Sequence, residues 1–185
     1  MRTAGAATGR WLDARLVAPE AERGERIVSY AGALAGAVFA TALALPAQHT
    51  WLSLTVIAVV PFDLFGGTVV NTTRSAKRRF HRPGRSSRHH LGFVAAHVQP
   101  FVLALLVPGF GLLSALIVYA LTLGGAVMVL LAPLDLRRPV AFAVSALAIT
   151  VASTSVAVPR ELAWFAPALV IKLLLAHLLP EGAER

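Results

Sequence analysis

Four ionisable side chains stand where a greasy chain has least use for them: Asp63, His97, Lys172 and His177, each inside a run of Ala, Val, Leu and Phe. A carboxyl and an imidazole withdrawn from water are the usual instruments of general acid/base catalysis. An ammonium beside them holds the carboxylate or answers a developing negative charge. The same residue types allow a mono-zinc set of Asp63, His97 and His177 with water in the fourth position, although no ligand spacing singles it out. A purely structural use is also available, in which Asp63 and Lys172 form an ion pair that fixes helix register.

A dense basic run follows the acid. From Asn71 to His90 the chain reads NTTRSAKRRFHRPGRSSRHH. Asn71, Arg74, Arg78, Arg79 and Arg82 are expected to hold a phosphate or an anionic headgroup, guanidinium groups being the natural partners of phosphate oxygens. On an uninterrupted helix Asp63, Gly67, Val70, Asn71 and Arg74 fall on one face, leading from acid to basic run. Gly67 leaves room there for a neighbour or a ligand.

The elements that must position these groups are membrane spans. Of 185 residues, 57% are hydrophobic and 14% charged, with a mean hydropathy of +0.71. A soluble domain carries roughly 25% charged residues, so the balance is that of a membrane protein. The fold class expected is all-α: a polytopic bundle of six transmembrane helices at 27–45, 51–70, 91–107, 110–131, 140–158 and 162–179, each near the ~20 residues a bilayer core requires. The third is the shortest and contains Pro100, so a kink is expected. Segment 1–26 precedes the six-helix domain 27–179. Within it Arg10–Ala18 reads as a short interfacial helix, with Trp11 at the headgroups. Loop 71–90 is basic, and 180–185 is a short tail. A competing reading makes Met1–Ala47 a long signal peptide, against which stands an apolar run longer than the usual ~7–15 residues.

Lys and Arg alternate between loops. Segment 1–26 carries five, loop 71–90 seven, and the 132–139 break carries Arg137 and Arg138, whereas "PAQHT" and "PGFG" carry none. By the positive-inside rule both termini are cytoplasmic, in a multi-pass protein of the plasma membrane. At 1.5 Å per residue, Asp63, His97 and Lys172 then lie about 10–12 Å inside the cytoplasmic boundary on three different helices. His177 is shallower. In α-helical geometry it lies about 140° round the helix from Lys172, which argues against one centre holding all four groups. Gln99 is read as an interhelical hydrogen bond, and Asn71–Thr73 as helix termination with local backbone bonds.

Several function classes are excluded or disfavoured. Without cysteine there is no disulfide, thiolate metal site or Cys nucleophile. The net charge of +8 sits beside hydrophobic spans and lacks interleaved aromatics for base stacking, so membrane lipids with anionic headgroups are the expected partners, not nucleic acid. There is no P-loop, Asp-rich diphosphate motif, Gly-x-Ser-x-Gly or His-Glu-x-x-His, and no cofactor is indicated. Arg82-Pro83 and Ser87-Arg88 echo parts of a lipid-phosphatase signature, but its Ser-Gly-His element is missing and His97 is misplaced. Six histidines are too few for the clustered boxes of a di-iron desaturase. Gly32, Gly36 and Ala40 form a small-xxx-small stripe that serves packing within the chain or a homo-oligomer. Three functions remain in view: a membrane-embedded enzyme acting on a lipid or isoprenoid by acid/base chemistry, a proton-coupled small permease, and a non-catalytic scaffold binding anionic lipid or a partner.

Overall fold

The computed structural model describes residues 20–180, and all regular structure among them is helical. The elements are α1 Arg23–Ala44, α2 Trp51–Thr72, α3 Arg74–Phe80, α4 Ser87–Ala95, α5 Gln99–Leu106, α6 Leu112–Leu131, α7 Arg137–Ser155 and α8 Phe165–Val170, the last continuing as a π-helix over Ile171–His177. The interfacial helix expected at Arg10–Ala18 lies outside the described residues.

Local chemistry explains the boundaries. Thr50 caps α2 by accepting from the Ser53 N–H at 3.2 Å, and Glu22 and Glu25 form a capping box at the start of α1. Thr73 has extended φ/ψ, ends α2 and caps α3 by accepting from the Ala76 N–H at 3.3 Å. Its own hydroxyl, like that of Thr72, donates back to the preceding turn. The break has a consequence for the expected stripe: Arg74 opens a new helix and does not continue the Asp63–Gly67–Asn71 face. The basic segment 71–90 is accordingly not a loop but mostly helix, α3 and the first turn of α4 flanking the turn at Gly84, whose φ of 87° suits glycine.

Among the described residues, five helical stretches are long and apolar enough to cross a membrane: Arg23–Ala47, Trp51–Thr72, Ser87–Leu106, Leu112–Leu131 and Arg137–Ser155. The third combines α4 and α5 and opens between Ala95 and Gln99. Pro100 has no N–H to give the preceding turn, and the backbone there closes in short turns, His97 N to Val94 O and Val98 N to Ala96 O, both at 3.0 Å. The segment expected as a full span at 162–179 contains only six α-helical residues followed by seven in π geometry. It is among the most enclosed parts of the chain, with Leu162, Phe165, Leu169, Val170, Leu173, Leu174 and Leu178 all inside the core. Irregular backbone is tolerated at membrane depth where protein, not lipid, surrounds it. The other helices turn Val38, Phe39, Leu105, Leu131 and Leu147 outward, as an integral membrane bundle must.

Two ends of the bundle are tied differently. At one, Ser53 Oγ donates to Leu106 O (2.6 Å), Ser114 Oγ to Ala157 O (2.7 Å), and His49 meets Glu161 at 3.1 Å. At the other, Ser75 donates its hydroxyl and its N–H to the Glu25 carboxylate at 2.7 and 3.2 Å. There the Lys77 ammonium donates to the carbonyls of Ala176 and Leu179. A cation thereby caps the orphan carbonyls of the terminal helix, where the helix dipole is negative. The terminal segment runs between the two ends, from Glu161 to the carbonyls held by Lys77.

Helices α1 and α2 make the closest pair. A Cβ at Gly36 would lie 2.5 Å from the Phe65 ring, one at Gly66 2.7 Å from the Ala33 Cβ, and one at Gly32 3.0 Å from Val69. The small-residue stripe thus faces α2 within the chain.

Candidate functional site

Asp63 lies on α2 two residues past Pro61, and Lys172 on the π-helical turn of the terminal segment. The Lys172 ammonium donates to Asp63 Oδ2 at 2.6 Å and to the Asp63 carbonyl at 3.2 Å. Gln99 Nε2 adds a third bond, to Oδ2 at 3.0 Å. Gly67 explains how the lysine reaches the acid: a Cβ there would stand 2.5 Å from Lys172 Cε. The room left by Gly67 is taken by Lys172 itself.

The pair is unevenly enclosed. The Lys172 side chain is 3% exposed and that of Asp63 49%. Both side-chain bonds fall on Oδ2. Asp63 borders a cavity of about 220 Å³ between α1 and α2, with Ser29, Tyr30, Phe62, Gly66 and Gly67. The Ser29 hydroxyl in its wall is buried and bonded to nothing among the described residues.

His97 lies close enough to Lys172 and Asp63 for their charges to act on it, but is bonded to neither. Its Nδ1–H donates to Phe93 O at 2.7 Å, so the neutral ring keeps Nε2 as the acceptor. His177 belongs to a different group. In π geometry residues five apart are hydrogen-bonded neighbours one turn on, so Lys172 and His177 share a side, and both are buried. The expectation of a 140° separation fails for that reason, yet the two still serve different partners. His177 Nε2 is 3.3 Å from His90 Nδ1, and its ring stacks on Phe93 with centroids 4.0 Å apart. His81 stacks on His90 at 4.6 Å and donates from Nε2 to His177 O at 2.9 Å.

The structure therefore brings Asp63, Lys172 and Gln99 into contact, sets His97 beside them, and places His177 in a column His177–His90–His81 that runs to the basic end. Phe93 bridges the two, its ring tilted against His97 and stacked on His177. Asp63, His97 and His177 do not converge, and among the described residues no three His, Asp or Glu side chains gather as a metal site. Arg74, Arg78, Arg79 and Arg82 are exposed at the basic end, whereas Asn71 is buried with Nδ2 unpartnered among the described residues. Sequence reasoning missed His81, His90 and Lys77 as structural partners. They meet across a turn and across helices, and no period in the sequence marks such contacts.

His81 lies outside the membrane-spanning stretches, and its pKa is lowered from 6.5. Burial is the main cause and the charges of Lys77 and Arg137 add to it, against the hydrogen bond to His177 O. A histidine harder to protonate when folded stabilises the fold fully above its unfolded pKa, and that stability is lost as pH falls from there toward the folded pKa. Thermal stability in detergent is thus expected to drop between about pH 7.5 and 5.5, and His81→Gln to flatten the drop. A wild-type profile without slope over that window would contradict this.

Compared with protein-family models, curated proteins and solved structures, the chain matches none.

Proposed function

We propose that the protein is a six-pass membrane protein of the plasma membrane with both termini cytoplasmic, and that Asp63–Lys172 is the centre of an intramembrane site acting on a lipid or isoprenoid substrate. In this reading Asp63 is the acid/base and Lys172 holds it in place. His97 Nε2 is the second proton carrier, and Arg74, Arg78, Arg79 and Arg82 take the headgroup. The observation that carries it is the uneven burial of the pair. An ion pair that only fixed register would gain from being sealed on both sides, but Asp63 is half exposed to a cavity between α1 and α2, from which an amphiphile enters sideways. Orientation is supported by the gathering of Lys77, His81 and Arg137 at one end with the arginine-rich helix α3.

A lipid-soluble carbodiimide tests the site directly, since it modifies a carboxyl reachable from the bilayer. Asp63 is expected to be labelled, and a lipid or isoprenyl phosphate that the site accepts to protect it. With a lipid-substrate panel, the neutral double variant Asp63→Asn/Lys172→Met should retain the fold and lose turnover. An unlabelled Asp63, or undiminished turnover, would remove the assignment.

A second reading, proton-coupled transport, is favoured by one observation: titratable groups continue from Asp63 past His97 to the His177–His90–His81 column. It predicts proton flux in proteoliposomes that His90→Ala abolishes and turnover assays do not register.

A further inference from the structure

On the far side of the terminal segment from Asp63, α2, α7 and the π-helix leave a groove of about 560 Å³. This volume is within the ~300–1,000 Å³ typical of small-ligand sites. Its lining changes character along its length. The deep part is apolar, with Ile171, Leu175 and Phe142, and Phe142 and Ile171 remain partly exposed. The mouth carries Lys77, Arg137 and Arg138, and among the described residues no carboxylate lines it. Asp135 is nearby in sequence but is exposed and outside the lining.

The cations at the mouth are not all in use. Lys77 is committed to the carbonyls of Ala176 and Leu179, so it contributes field and not contact. Arg137 gives one long bond, Nη2 to Leu130 O at 3.3 Å, while its Nε is buried and unpartnered among the described residues. Arg138 is exposed, and among the described residues it has no hydrogen bond or ion pair. Both arginines occupy the first turn of α7, where the helix dipole is already positive, an arrangement that an anion would relieve. The hydroxyls of Thr68 and Thr72 already donate to their own helix, leaving the arginines as the donors available.

We propose that this groove binds one anionic phospholipid of the adjoining leaflet, its phosphate on Arg137 and Arg138 and an acyl chain along Phe142, Ile171 and Leu175. Guanidinium pairs suit a phosphate, and the charged mouth above an apolar channel matches a diacyl lipid and no soluble anion. The inference requires that the chain be embedded in a bilayer but is independent of the chemistry at Asp63. It adds a headgroup contact at the start of α7, distinct from the one proposed for Arg74, Arg78, Arg79 and Arg82.

The test uses the full chain purified in a neutral detergent, with phosphatidylglycerol, phosphatidylcholine and inorganic phosphate as probes. Phosphatidylglycerol should be retained in native mass spectra and raise the melting temperature, while phosphatidylcholine and millimolar phosphate do neither. Arg137→Gln/Arg138→Ala should weaken retention about tenfold or more, the loss expected when charge-assisted bonds go. Arg160→Ala, at the opposite end, should leave retention unchanged. An acyl-diazirine phosphatidylglycerol should crosslink chiefly to peptides containing Phe142 or Ile171, a readout that survives if the arginine variant folds poorly. The proposal falls if phosphate displaces the lipid, if crosslinks spread evenly over the outer faces, or if Arg78→Ala/Arg82→Ala abolishes retention while the Arg137/Arg138 variant does not.

Discussion

Replacing Asp63 by Asn is expected to destabilise the protein more than replacing Lys172 by Met, although the two residues share one bond. The physical reason is their unequal burial. Without the acid, an ammonium that is 3% exposed loses its counter-charge in the interior. Stranding one member of a buried pair costs about 3–5 kcal/mol. Without the lysine, the half-exposed Asp63 retains the Gln99 amide and access to its cavity, so the loss is smaller. The neutral pair Asp63→Asn/Lys172→Met should recover most of the deficit, because two uncharged side chains of similar shape replace two charges that both had to be desolvated. Thermal unfolding of the four proteins in one detergent gives the cycle directly. Equal single losses that simply add in the double variant would mean that the two groups are not coupled, and would undo the site on which the proposed function stands.

Gly36→Ala and Gly66→Ala should each cost about 1–3 kcal/mol, the usual penalty for overpacking a tight contact. A methyl at Gly36 meets three atoms of Phe65 at 2.5–2.7 Å, and one at Gly66 meets the Ala33 Cβ at 2.7 Å with backbone just behind it. Neither neighbour has a flexible end to move aside. Gly24→Ala and Gly92→Ala are the internal controls, for nothing lies within 4 Å of either position. Both are helical, so alanine there should be neutral or stabilising by up to about 1 kcal/mol. Gly67→Ala is informative in another way, because its neighbour is the mobile end of Lys172. It should displace the ammonium from Asp63, raise carbodiimide labelling and, because that ammonium is buried, cost up to about 3–5 kcal/mol. Losses of the same size at Gly24 or Gly92 as at Gly36 would contradict the close packing of α1 on α2.

Much of the fold was legible because its causes are local. Apolar runs, Pro100, Gly109 and the Asn71–Thr73 terminator mark where helices begin and end, and those breaks lie within a few residues of expectation. The pairing of Asp63 with Lys172 was also foreseeable: two opposite charges at one depth in an apolar bundle gain too much by meeting to stay apart. The terminal segment misled because hydropathy records how apolar a stretch is and not what surrounds it. Leu169, Leu173 and Leu174 face protein, and that enclosure is what tolerates the π-wound backbone.

The sequence by itself determined an all-helical membrane chain, the ends of its long helices and the clustering of its positive charge. Only the tertiary structure decided which groups touch. It sent His177 to His90 and His81, gave Lys77 to the terminal carbonyls, folded the glycine stripe of α1 against α2, and opened a groove beneath Arg137 and Arg138. Helix ends and charge clusters follow from reading along one segment. Contact depends on how each helix is rotated and where it crosses its neighbours, and both are set by packing across the whole bundle.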